Sequence, residues 1–165
     1  AKGPTDLKGR ALTDNNFLSD LPLAGELISS NFEDWPDWLK TEFTEHAYDG
    51  HVGSRLLSQN DRVRVWEIRL APGERWHAHR HVLDYFWTAV TAGNSRQHTH
   101  DGTVREVAYQ RGETRHFHFG AGEYLLHDIQ NIGQTELMFT TVEHLDSANA
   151  PLDLEQSRPG GDGSR

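Results

Sequence analysis

Between Leu56 and Leu145 the chain is cut into short runs of alternating apolar and polar residues, each closed by a turn signal. Residues 62–70 place Trp66, Ile68 and Leu70 on one face, because successive side chains of a strand point to opposite sides. Ala71-Pro72-Gly73-Glu74 turns, and residues 84–90 are rich in aromatic and β-preferring types. Asp101-Gly102, between runs at 95–100 and 103–109, is a common two-residue hairpin signal. Residues 110–113, 120–122 and 133–134 break the chain again, leaving strands expected at 114–119, 124–132 and 136–145. About eight short strands with no helix between them argue for an antiparallel sandwich or barrel.

One helix is expected ahead of them, over residues 34–47. Asp34 can cap it, Pro36 and Asp37 suit its first turn, and Trp35, Trp38, Leu39 and Phe43 share a face that should pack on the outside of a sheet. The chain thus divides into an N-terminal arm and helix (1–54), a β domain (55–146) and a disordered tail (147–165), rich in Pro, Gly and Ser. Apolar patches in the arm, at Phe17-Leu18, Leu21-Pro22-Leu23 and Leu27-Ile28, are expected to pack on the domain or on a partner subunit.

Composition removes several functions. No run approaches the roughly 20 apolar residues of a membrane-spanning helix. With no cysteine there is no disulfide framework, Cys-based zinc site, iron–sulfur cluster or thiol nucleophile. A net charge of −9, with no Lys/Arg cluster, argues against nucleic acid and anionic membranes as partners. Ala1-Lys2-Gly3-Pro4 lacks the apolar core of a secretion leader, so the cytoplasm is the expected location. Histidine is in excess: 11 in 165 residues, most of them between His77 and His127.

In Trp76-His77-Ala78-His79-Arg80-His81, three histidines recur at period two, so a regular strand would project all three imidazoles from one face. Two such rings and a third from a neighbouring strand suit a divalent transition metal. Gly73, the His79-Arg80-His81 run and Gly93 resemble the first motif of the cupins. Gly112-Glu113 opens a stretch similar to their second motif, ending in His127-Asp128-Ile129-Gln130-Asn131 and Gly133. The resemblance spans about residues 55–146 and implies an all-β fold: an antiparallel double-stranded β-helix, or jelly-roll barrel of the RmlC-like type, with one short N-terminal helix.

The resemblance carries His79, His81 and His127 over as ligands of one divalent transition metal per chain: iron, nickel, zinc, manganese or copper. Asp84 stands nearest the glutamate that the first motif usually supplies, and it can ligate or orient a histidine. Glu123 takes the ligand position if the second motif is counted from Gly112. His77 is the surplus histidine: a ligand, an acid–base group or a rim residue. Phe86, His116 and His118 are expected to line the pocket. His98 and His100, beside the hairpin turn, are expected to be exposed and without a role, while His46, His51 and His144 carry no signal.

Three neutral imidazoles leave open coordination positions, which suit chemistry at the metal. A dioxygenase-like oxidoreductase acting on a small organic acid or chelating carbonyl compound is the first expectation. A non-catalytic binder of metal or small ligand and a metal-independent isomerase or epimerase are the alternatives. Small cupins are commonly oligomeric, and closed twofold pairs are the commonest assemblies, so a homodimer is expected.

Overall fold

The computed structural model describes residues 3–5, 18 and 20–155. Ten strands and one helix follow in order: β1 (Glu26–Ser29), α1 (Asp37–Glu45), β2 (Arg55–Gln59), β3 (Val63–Leu70), β4 (Arg75–His81), β5 (Tyr85–Ala89), β6 (Gly93–His98), β7 (Val104–Tyr109), β8 (Thr114–Phe117), β9 (Leu125–Asn131) and β10 (Leu137–His144). They build two five-stranded antiparallel sheets, ordered β1-β7-β6-β9-β4 and β2-β3-β10-β5-β8.

Alternation decides which side chains meet between the sheets. On β3, Trp66, Ile68 and Leu70 are buried, and on β10 Leu137 and Phe139 face the same way. Ile68, Leu70, Leu137 and Phe139 join Val107, Tyr109 and Ile129 of the opposite sheet in one apolar cluster. At one edge Leu18 and Leu21 pack on Tyr85, Phe117, Phe119 and Leu125. The arm therefore covers its own domain, and β1 pairs antiparallel with β7. Phe17 of the expected apolar patches lies outside the described residues.

α1 packs Leu39 and Phe43, both fully buried, against Ala78 and Leu126 of the first sheet and Val82 just beyond β4. Burying two such side chains contributes about 1.5–3 kcal/mol each. The helix is shorter than residues 34–47: Pro36, not Asp34, precedes its first turn, and no side chain caps it. Trp38 turns to solvent, 57% exposed, under the guanidinium of Arg75 at 4.9 Å. The expected four-residue apolar stripe is thus narrower than the sequence suggests.

The C-terminal segment needs a correction over residues 147–155. The Asn149 side-chain amide donates to the carbonyls of Val82 and Gly120, at 3.0 and 3.1 Å, and Leu152 packs on the helix cluster. A segment poor in apolar residues is held by hydrogen bonds that composition does not reveal. The rest of the expected tail, 156–165, lies outside the described residues. Among the described residues no helix is long and apolar enough to cross a membrane.

Candidate metal centre

β4 and β9 are neighbours, and their register sets His79 opposite His127. Between Trp76 and His79 the pairing slips, so that two residues of β4 oppose one of β9. This bulge breaks the strict period of two. Trp76 joins the cluster between the sheets, and His77 turns out of phase with His79 and His81. The three-histidine face expected on β4 is therefore a two-histidine face.

His127 completes it. One ring nitrogen from each of His79, His81 and His127 lies within 4.8 Å of the others. His81 Nε2 and His127 Nε2 are 3.1 Å apart, and the ring centroids are 4.7–5.1 Å from one another. Local contacts fix two of the tautomers. His79 Nδ1–H donates to the His77 carbonyl at 2.8 Å, and His127 Nδ1–H to Gln97 Oε1 at 3.1 Å, which leaves both Nε2 atoms as acceptors. Gln97 in turn donates to the Tyr109 hydroxyl at 2.7 Å, shared with Ser95 at 2.8 Å. His81 stacks on Tyr85 at 4.0 Å, and its buried Nδ1 has no partner.

All three rings are neutral at neutral pH. Burial, with His127 beside them, holds His79 and His81 well below the ordinary imidazole range. Burial, then the charge of His100, lowers His127 to about 3. The Nε2 acceptors of His79 and His127, with His81 Nε2 beside them, form a donor set richer in lone pairs than in protons. A divalent ion satisfies such a set; an apolar core does not. The residues present fit a transition metal.

The centre opens on a cavity with about 50 Å³ of space for the centres of water molecules. Tyr85, Trp87, Tyr109, Phe117 and Phe139 form much of its wall, with Gln97 and Thr141 as polar members. Among the described residues no Asp, Glu, Lys or Arg lines it. Burial pushes the Tyr85 hydroxyl well above its ordinary value and Tyr109 up to about 12, so both stay neutral.

The remaining candidates lie elsewhere. Asp84 accepts the Phe119 backbone N–H at 3.0 Å and pairs with His118 Nδ1 at 3.0 Å, and neither oxygen joins the histidine cluster. Glu123 closes its own turn, accepting the Gly120 N–H at 2.6 Å. His116 and His118 are exposed, and Phe86 packs its ring beside His116 and His144 outside the cavity. None of these three lines the pocket; the inward residues of β5 and β8 are Tyr85, Trp87 and Phe117. His98 and His100, expected at the surface, are buried. Asp128 accepts from the His98 backbone N–H at 2.7 Å and from its Nδ1 at 3.0 Å, and Arg75 bridges Asp128 to Glu42 of α1. His100 stacks on Tyr124 at 4.6 Å. The sequence reading missed Gln97, whose only signal is its place on a strand beside His127.

Two antiparallel five-stranded sheets with an imidazole cluster between them define a double-stranded β-helix protein with a candidate metal centre. The chain belongs to the cupin family. It is 30% identical to a cupin domain from Bordetella pertussis Tohama I, over 55% of this chain and 88% of that one, with a TM-score of 0.47. An RmlC-like cupin from Methanocaldococcus jannaschii shares 21% identity over 55% and 76% of the two chains, at a TM-score of 0.45. A double-stranded β-helix protein from Klebsiella pneumoniae shares 19% over 67% and 96%, also at 0.45. No family model matches the chain, and no curated protein does. Membership rests on identity with the Bordetella domain, the two histidine motifs and the two-sheet architecture.

Proposed function

We propose that His79, His81 and His127 hold one divalent transition metal and that the chain is a metal-dependent oxidoreductase of the dioxygenase type, acting on a small organic acid or chelating carbonyl compound. The observation that carries this reading is the convergence of three neutral imidazoles on a cavity that, among the described residues, has no Asp, Glu, Lys or Arg in its lining. When bound, the metal supplies positive charge and open coordination positions, which suit oxygen or Lewis-acid chemistry. Gln97 orients His127, and the His77 carbonyl orients His79. Aromatic rings form much of the wall around the reacting groups, and the small space beside them suits a substrate of a few heavy atoms.

The cavity suits the isomerase alternative poorly. Its histidines and tyrosines are all shifted away from neutral pH, so none is poised to exchange protons there. A homodimer is part of the proposal: the sheet-edge strands β1 and β2 expose Leu27, Ile28, Leu56 and Leu57. Sedimentation as a monomer at micromolar concentration removes that part.

Metal content of tag-free protein, followed by oxygen consumption with small 2-oxo acids and β-diketones, tests the function. The expected result is one metal per centre, lost in each of His79→Ala, His81→Ala and His127→Ala, with uptake dependent on both metal and substrate. Metal without uptake for any such compound leaves a non-catalytic binder. Unchanged metal content in all three variants refutes the centre.

A further inference from the structure

The bulge in β4 sends His77 toward a second group of ligand-type side chains. His46, which follows the last turn of α1, Asp49 in the loop beyond it and His77 bring one ligand atom each to within 4.8 Å of the others. His46 Nδ1 is 2.7 Å from Asp49 Oδ2, and His77 Nδ1, which donates to the Ala78 carbonyl at 2.9 Å, is 3.9 Å from that same oxygen. The His46 and His77 rings lie face to face, with centroids 4.1 Å apart and planes 31° apart.

The carboxylate at the middle is fixed in place. The His51 backbone N–H and Nδ1 hold its other oxygen, Oδ1, at 2.9 and 2.6 Å. Burial alone would raise the Asp49 carboxyl, but the hydrogen bonds from His46 and His51 outweigh it and keep the group ionised. Asp49 is buried while His46 and His77 are partly open to solvent, so an ion has a path in.

We propose that His46, Asp49 and His77 form a second site for a divalent first-row transition metal, tying the end of α1 to β4 outside the cavity. Two imidazoles and one carboxylate are a donor set that first-row ions of mixed nitrogen and oxygen preference take readily. A purely structural hydrogen-bond cluster explains the Asp49 contacts to His46 and His51. It leaves unexplained why a second imidazole packs on the first within reach of the same carboxylate; a bound ion would replace the protons that His46 Nδ1 gives to Asp49 and His77 Nδ1 gives to the Ala78 carbonyl. The site stands without the three-histidine centre. Residue 77 belongs to both neighbourhoods, giving its side chain to the outer cluster and its carbonyl to His79, so its variants are unsuitable as tests.

The test titrates chelator-stripped full-length protein with Zn²⁺ and with Co²⁺, reading stoichiometry by calorimetry and bound metal by elemental analysis. His46→Ala keeps the Asp49–His51 pair and the backbone bond from residue 46 to the Glu42 carbonyl, so the fold is retained. Asp49→Asn, checked for folding by near-UV circular dichroism, is the second variant. Wild type should bind two equivalents. His46→Ala and Asp49→Asn should each lose one of them, with affinity falling at least 10–100-fold, and His127→Ala should lose the other. If wild type binds one equivalent that His46→Ala removes and His127→Ala spares, the outer site stands and the three-histidine reading fails. If His46→Ala and Asp49→Asn bind as wild type does, or if wild type binds nothing, the outer site is refuted and the cluster is a hydrogen-bonded brace.

Discussion

Glu143 offers a measurement of what the space between the sheets costs a charge. It lies on β10, two residues beyond the cavity-lining Thr141 and on the same face, and is almost wholly buried. It accepts the Trp66 indole N–H at 2.8 Å, and its strand partners are Arg64 and Tyr85. Burial pushes its carboxyl from 4.5 up to about 7, against the opposing pull of the Trp66 hydrogen bond and the Arg64 charge. Between those two values the folded protein keeps a proton that the unfolded chain has released. Stability from this group is therefore fully present below 4.5, falls as pH rises and levels off above 7. At about 1.4 kcal/mol per pH unit, the loss amounts to about 3 kcal/mol by about pH 8.

Glu143→Gln keeps the acceptor for Trp66 and removes the charge. Urea unfolding of chelator-treated wild type and variant, compared from about pH 5 to about pH 8, should show the variant gaining on wild type by about 2.5 kcal/mol across that range. Parallel curves would refute the reasoning, because the carboxyl would then ionise as freely in the fold as in the unfolded chain.

Gln97→Ala removes the acceptor that orients His127 and should weaken metal binding 10–100-fold at the inner centre, read by competition with a chelator, while the outer site keeps its affinity. Gly102→Ala should cost more than Gly73→Ala in thermal unfolding. Both glycines have φ near +90°, worth about 1–3 kcal/mol of strain, but a Cβ at Gly102 meets the Phe32 ring at 2.7 Å and its backbone nitrogen at 2.9 Å, whereas Gly73 is open. Equal losses would show that the Phe32 contact yields freely. Asp128→Asn should destabilise the chain by about 3 kcal/mol, because it removes the charge shared by Arg75 and His98 in a fully buried place. A loss below about 1 kcal/mol would mean that Glu42 alone suffices for Arg75.

Strand positions were legible because period-two alternation and glycine turns are local properties. So was the grouping of His79, His81 and His127, through spacing and motif. Facing was legible only where one side of a strand is polar. On β3 Trp66 and Ile68 announce the inner face, whereas in Tyr85-Phe86-Trp87 both faces are aromatic and Phe86 cannot be assigned. In the run from Thr114 to Phe119 the histidines suggested a pocket, but Phe117 and Phe119 claim the interior and send His116 and His118 outward. The bulge in β4 has no residue signature, so the place of His77 was out of reach. The burial of His98 and His100 depends on Asp128, Leu126 and Tyr124, which are remote in sequence.

The same bulge gives the strand a form of evolutionary freedom. Because residues 77 and 78 together oppose a single residue of β9, loss of either one by a one-codon deletion would regularise the pairing without moving Trp76 or His79 to the other face. In an unbulged strand the same deletion would turn every residue on one side of it inside out. Loss of His77 would abolish the outer ligand cluster and leave the inner histidines in register, and gain of a histidine there would create it. The two groups of ligands share a strand, yet lineages can acquire or discard the outer one while the inner one stays in place.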